Sequence, residues 1–133
     1  MNAEEHACDA LIRSMGGRVV TFAVPRRGAP AHVGLPDKRY YVRGHAFFAE
    51  IKVGPKDYDQ IGRKAVQDKG DHLTEAQANF LLAEYDHGQI IFAGDAAALA
   101  NMVTQLPSAW RQCGYVQFKK ILARGWRRGR KAA

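Results

Sequence analysis

Asp37, Glu50 and Lys52 are the residues whose types and positions suggest chemistry. Glu50 and Lys52 interrupt an otherwise apolar run, Ala46 to Val53 (AFFAEIKV). They stand two apart, so in a strand they project from one face. Asp37 precedes Glu50 by thirteen positions and follows Gly34-Leu35-Pro36, at the start of another strand-like run. If the two runs pair through a turn at Arg43-Gly44-His45, their adjoining ends bring the two carboxylates together. Converging carboxylates in an apolar sheet repel each other and are costly to bury unless a cation joins them. A hard divalent ion suits that need. Asp37, Glu50 and the backbone carbonyl of Ile51, with waters and a phosphate oxygen, would form an oxygen-only set fit for Mg²⁺. Such an ion would polarise a phosphodiester and acidify a bound water, and Lys52 would orient that water. Singly, the same residues read as an Asp turn cap and a structural Glu-Lys pair. Together they read as a hydrolytic centre.

Three ordered segments, Gly34-Leu35-Pro36-Asp37, Phe47-Phe48-Ala49-Glu50-Ile51-Lys52 and Leu73-Thr74-Glu75-Ala76-Gln77, resemble the motifs of the PD-(D/E)xK nuclease superfamily. They are most similar to its virus-type replication-repair branch, the VRR-NUC domain, and the resemblance covers about residues 4 to 94. It implies a restriction-endonuclease-like core, a Mg²⁺ or Mn²⁺ site and cleavage of DNA, often at branched structures. Members made of this domain alone resemble Holliday-junction resolvases and tend to be homodimers. By resemblance, Asp37 and Glu50 are metal ligands, Lys52 is the catalytic lysine, and Gln77 supports the metal or the attacking water. A glutamate on the first helix would complete the acidic cluster; Glu5 matches best, with Glu4 its competitor. The stretch Val53 to His72 is longer than the family usually has between lysine and glutamine.

The elements that must position these groups follow from periodicity. Ala7, Cys8, Leu11, Ile12 and Met15 mark an apolar stripe on a helix over about residues 3 to 15, stopped by Gly16-Gly17. Arg18 to Val24 reads as a strand, Pro25 to Val33 as a loop, Arg39 to Val42 and Ala46 to Val53 as two further strands. A short helix fits Tyr58 to Asp68. Thr74 with Gln77 forms a capping box for a helix through Phe80, Leu81, Leu82 and Tyr85. Gln89 to Ala93 reads as a fourth strand. Asp95 caps a helix over Ala96 to Gln105, and Pro107 breaks it before an amphipathic segment from Trp110 to Leu122. The expected fold class is α/β, a mixed four-stranded sheet flanked by helices in a single domain over 1–133, with a basic tail at about 124–133.

Twenty Lys and Arg against thirteen Asp and Glu give a net charge of +7 and a pI near 9.7. No acidic residue follows Asp95, so the cationic excess gathers toward the C-terminus. That asymmetry favours a polyanionic partner. Arg26 and Arg27 would flank the Asp37 motif, and Lys56, Arg63 and Lys64 would add an internal basic element. Arg111, Arg127 and Arg128 belong to the C-terminal charge, where Trp126 invites base stacking. Nothing reads a base sequence, so structure-selective DNA recognition is the expectation. The apolar Ala96 to Gln105 helix and the Trp110 to Leu122 segment are the candidate dimer interface. Cys8 and Cys113 read as reduced thiols, and no spacing of Cys or His suggests zinc. No run approaches the roughly 20 apolar residues of a membrane span, and no apolar signal region opens the chain, so a cytoplasmic setting is expected. The alternative is a DNA-binding protein that keeps the nuclease fold and does not cut. The retention of Asp37, Glu50 and Lys52 together argues against it.

Overall fold

The computed structural model describes residues 3–22, 34–51 and 75–113. The expected helix over Tyr58 to Asp68, the Thr74 cap and everything beyond residue 113 lie outside the described residues.

Helix α1 spans Ala3–Ser14, followed by strands β1 (Arg18–Thr21), β2 (Lys38–Val42) and β3 (His45–Ile51). Helix α2 (Glu75–Asp86), strand β4 (Ile91–Gly94) and helix α3 (Ala96–Val103) complete the order. The four strands form one mixed sheet in the order β1-β2-β3-β4. The first two pairings are antiparallel and β3 with β4 is parallel. A parallel pair needs a crossover, and α2 lies on it. The architecture is thus mixed α/β with helices on both faces of the sheet, as the sequence pattern indicates. Among the described residues no helix is long and apolar enough to cross a membrane.

Strand alternation divides the sheet into two faces. Tyr40, Val42, Phe47, Ala49, Ile51 and Phe92 pack with Cys8 and Ile12 of α1 and with Leu99, Met102 and Val103 of α3. Ile91 and Ala93 pack with Ala78, Leu81 and Leu82 of α2, with Phe48 against them. Every β4 residue is buried, because α2 and α3 cover its two sides. That accounts for its uninterrupted apolar sequence.

Several boundaries differ from the sequence reading, each for a local reason. The β2–β3 hairpin uses a two-residue turn. Arg43 (φ 51°) and Gly44 (φ 78°) both take positive φ, the type I′ pattern, so His45 pairs with Val42 instead of joining the turn. Strand β2 starts at Lys38, whose pairing with Thr21 and Ala49 extends the ladder. The buried stripe of α1 is Cys8, Asp9 and Ile12, whereas Ala7 is exposed. The helix is therefore rotated from the purely apolar stripe, carrying a carboxylate inward.

Helix α3 is capped as expected, the Asp95 side chain accepting from the Ala98 amide at 2.9 Å. Glu4 adds a second cap, its Oε2 accepting from the Ala96 amide at 2.7 Å. Two carboxylates at one helix N-terminus satisfy orphan amides and oppose the positive end of the dipole. The apolar side chains of α3 face the chain's own core. Leu99, Val103 and Trp110 are fully buried there and Met102 nearly so, which explains their apolarity without a second subunit.

Candidate active site

Asp37 sits immediately before β2, where the Phe22 amide donates to its carbonyl at 3.0 Å. The β2–β3 register pairs Lys38 with Ala49, so one step outward Asp37 faces Glu50. The contact is direct, the Asp37 amide donating to Glu50 Oε1 at 3.2 Å. Glu50 is 2% exposed and Asp37 partly exposed. Both belong to the α2 face, in alternation with Ala49 and Lys38 on the α1 face. The hairpin therefore brings the Asp37 backbone to the Glu50 carboxylate, the two residues that the sequence singled out. Ile51 ends β3 with its side chain in the α1-face core, so only its backbone carbonyl is suited to a cation.

The glycine of the Gly34-Leu35-Pro36-Asp37 segment has a steric role. Gly34 adopts φ +81°, and a Cβ there would collide with the Ala76 carbonyl and meet the Gln77 amide nitrogen at 2.9 Å. The Asp37 loop thus rests on the first turn of α2, which carries Gln77. Only a residue without a side chain permits that approach. The 34–37 segment thus touches the first turn of α2 at Gly34 and the end of β3 at Asp37.

Glu5 belongs to a second polar cluster, on the α1 face. Lys38 is wholly buried and donates to Asp9 Oδ2 at 3.0 Å and to Thr21 Oγ1 at 2.8 Å. Its ammonium stands 3.9 Å from Glu5 Oε1. Tyr40 donates to Asp9 Oδ1 at 2.8 Å. Burial, followed by this bond to Asp9, pushes the Tyr40 phenol far above its ordinary range. Burial, then the neighbouring carboxylates led by Glu4, pushes the Cys8 thiol up to about 12. Glu4 and Glu5 are thus engaged with α3 and Lys38. Among the described residues no group of three or more His, Cys, Asp or Glu could hold a metal ion.

The sequence reading missed the Asp9–Lys38–Tyr40 cluster, though two signals were available. Asp9 shares a helical face with Cys8 and Ile12, and Lys38 alternates with Tyr40 and Val42. A charge in phase with a buried stripe needs a partner, and these two are each other's.

The side chains of Asp37 and Glu50 and the Ile51 carbonyl offer oxygen donors only, the chemistry that Mg²⁺ takes, and they are the groups that would hold such an ion. Two carboxylates with water in the remaining positions match that ion's habit of keeping much of its hydration. Lys52 lies outside the described residues, as do Arg26, Arg27, Lys56, Arg63, Lys64, Arg127 and Arg128. Arg111 is described, and it packs inward. Its guanidinium lies 3.8 Å over the Tyr85 ring and donates to the Tyr85 carbonyl, tying the C-terminal helical residues to α2. Cys8 and Cys113 are free thiols.

No protein-family model, no curated protein and no solved structure matches the chain.

Proposed function

We propose that this protein is a Mg²⁺-dependent DNA endonuclease with a restriction-endonuclease-like core, selective for branched DNA such as a four-way junction. One observation carries the reading: the Asp37 amide holds the buried Glu50 carboxylate, so two acidic side chains share one sheet face at a strand end. A buried carboxylate beside a second one gains most from a divalent cation. The sequence resemblance to the VRR-NUC domain supports the same assignment.

A bound Mg²⁺ would polarise the scissile phosphate and lower the pKa of a coordinated water. The chain's own residues set the geometry for this. Asp37 and Glu50 supply charge at the strand end, and the Asp37 amide fixes the Glu50 carboxylate. Gly34 seats the loop against α2, holding Gln77 beside it. Lys52, two positions after Glu50 in the sequence, is the group assigned to orient the attacking water. A homodimer that presents two centres to two strands belongs to this reading on symmetry grounds, not on the apolarity of α3. Two free thiols suit a reducing, cytoplasmic setting.

The test is incubation of a labelled four-way junction with wild type and Asp37→Ala, with and without Mg²⁺. Cleavage by wild type alone, and only with Mg²⁺, is expected. Binding by both proteins with cleavage by neither would overturn the nuclease in favour of a non-cleaving DNA-binding protein.

A further inference from the structure

The α2 face of the sheet carries a second set of residues beyond the two carboxylates. Along β2, Asp37, Arg39 and Tyr41 share that face, and on β1 Arg18 stands opposite Tyr41. The Arg39 guanidinium lies 4.4 Å over the Phe48 ring and 5.7 Å from that of Tyr41, and Arg18 lies 5.4 Å over Tyr41. Phe22 and Phe48 rings are 6.0 Å apart on the same face. Arg18 is exposed, Arg39 half-buried, and Tyr41 is 37% exposed, a large aromatic left open to solvent. Neither arginine forms an ion pair with a carboxylate among the described residues. At the hairpin end the face opens into a hollow of about 420 Å³, lined by Arg18, Tyr41, Arg43 and His45 among others.

We infer that this face is a DNA-strand track. Arg39 and Arg18 contact successive phosphates leading away from Asp37 and Glu50, and Tyr41 stacks an unpaired base at the hollow. This rests on the nuclease reading for the direction of the strand, but not for binding itself. Two cations with no acidic partner among the described residues match a polyanion, and the rings beneath them keep the guanidinium planes in place. Exposed aromatics beside arginines are the means by which single strands are held without sequence readout. From Asp37 to Tyr41 the strand rises about 13 Å, roughly four steps of a stacked strand at about 3.4 Å each. A base unpaired a few nucleotides from the incision point is what a branched substrate offers and a continuous duplex does not.

The experiment is fluorescence anisotropy of the full chain in EDTA, so that no cleavage intervenes. The probes are a labelled 12-mer of thymidylate and a duplex of the same length. Tyr41→Ala is expected to weaken single-strand binding roughly five- to a hundredfold, the loss of one stacked base, and duplex binding much less. Arg18→Gln and Arg39→Gln should each reduce the slope of log K against log salt by about 0.7, while Arg13→Gln on the exposed side of α1 changes neither. Thermal melting checks the fold of each variant, and Arg39→Lys should retain most of the salt slope. A 12-mer carrying 5-iodouracil should photo-crosslink to Tyr41 in the wild-type protein. Wild-type affinity in folded Tyr41→Ala and Arg18→Gln, with the crosslink elsewhere, would overturn the track. If those variants bind normally and wild type still cuts a junction with Mg²⁺, only the track fails. If they lose binding and wild type cuts nothing, only the nuclease reading fails.

Discussion

Lys38 and Asp9, one on β2 and the other on α1, form an ion pair at 3.0 Å with side-chain exposures of 0% and 3%. The pair is fully inside the protein. Removing Asp9 takes the nearer carboxylate from the buried Lys38 ammonium, leaving Glu5 at 3.9 Å, and takes the acceptor from Tyr40, at a cost of up to about 3–5 kcal/mol. Asp9→Ala is therefore expected to lower the free energy of unfolding by that order in urea titrations. Replacing both, as in Asp9→Leu with Lys38→Met, should restore much of the loss. A single variant with unchanged stability would show that the pair is not held closed in solution.

Because Lys38 follows Asp37 directly, the same pair anchors the start of β2 under the candidate site. Glu50→Gln keeps the Asp37 amide's acceptor but removes a negative charge. It should leave the melting temperature within a few degrees while lowering junction cleavage by more than the roughly 10–100-fold typical of changes around metal ligands. Calorimetric titration with Mn²⁺ should show the matching loss of metal affinity. Unaltered metal affinity would remove Glu50 from the ligand set.

Gly34 and Gly44 allow a paired comparison. Both have positive φ, +81° and +78°, but a Cβ at Gly44 meets nothing within 4 Å whereas one at Gly34 strikes the Ala76 carbonyl. Gly44→Ala should therefore carry only the left-handed backbone penalty of about 1–2 kcal/mol. Gly34→Ala should carry that plus the clash, and should reduce cleavage by displacing Asp37 from α2. Equal stabilities for the two variants would contradict the close approach.

The Cys8 thiol, pushed up to about 12, and the Tyr40 phenol, also raised, stay protonated in the fold where the unfolded chain ionises. Between the ordinary thiol pKa near 9.0 and about 12, the unfolded state thus binds fewer protons than the native state. Stability is accordingly full below pH 9 and falls as pH rises toward 12. The urea midpoint should decline across that window, and less steeply in Cys8→Ala relative to its own value at pH 8. At pH 8, Cys113 should react with a thiol reagent before Cys8, as peptide mass mapping would reveal.

The sequence by itself determined those features that depend on near neighbours. The order of elements, the Arg43-Gly44 turn and the Asp95 cap follow from residue types within a few positions of one another. So does the meeting of Asp37 with Glu50, because a short hairpin leaves little choice of register once the turn is set. Only the tertiary structure decided the rest. Asp9 and Lys38 are 29 positions apart, and periodicity, which puts each on the buried side of its own element, does not say that the two meet. The apolar side of α3 could have served a partner as well as a core, until the packing of Trp110, Leu99 and Val103 showed where it is buried. Arg111 looked like part of the cationic tail, yet the Tyr85 ring holds it against α2. Periodicity fixes which way a side chain points from its own element; what it then meets depends on how distant elements dock, a property no local window contains.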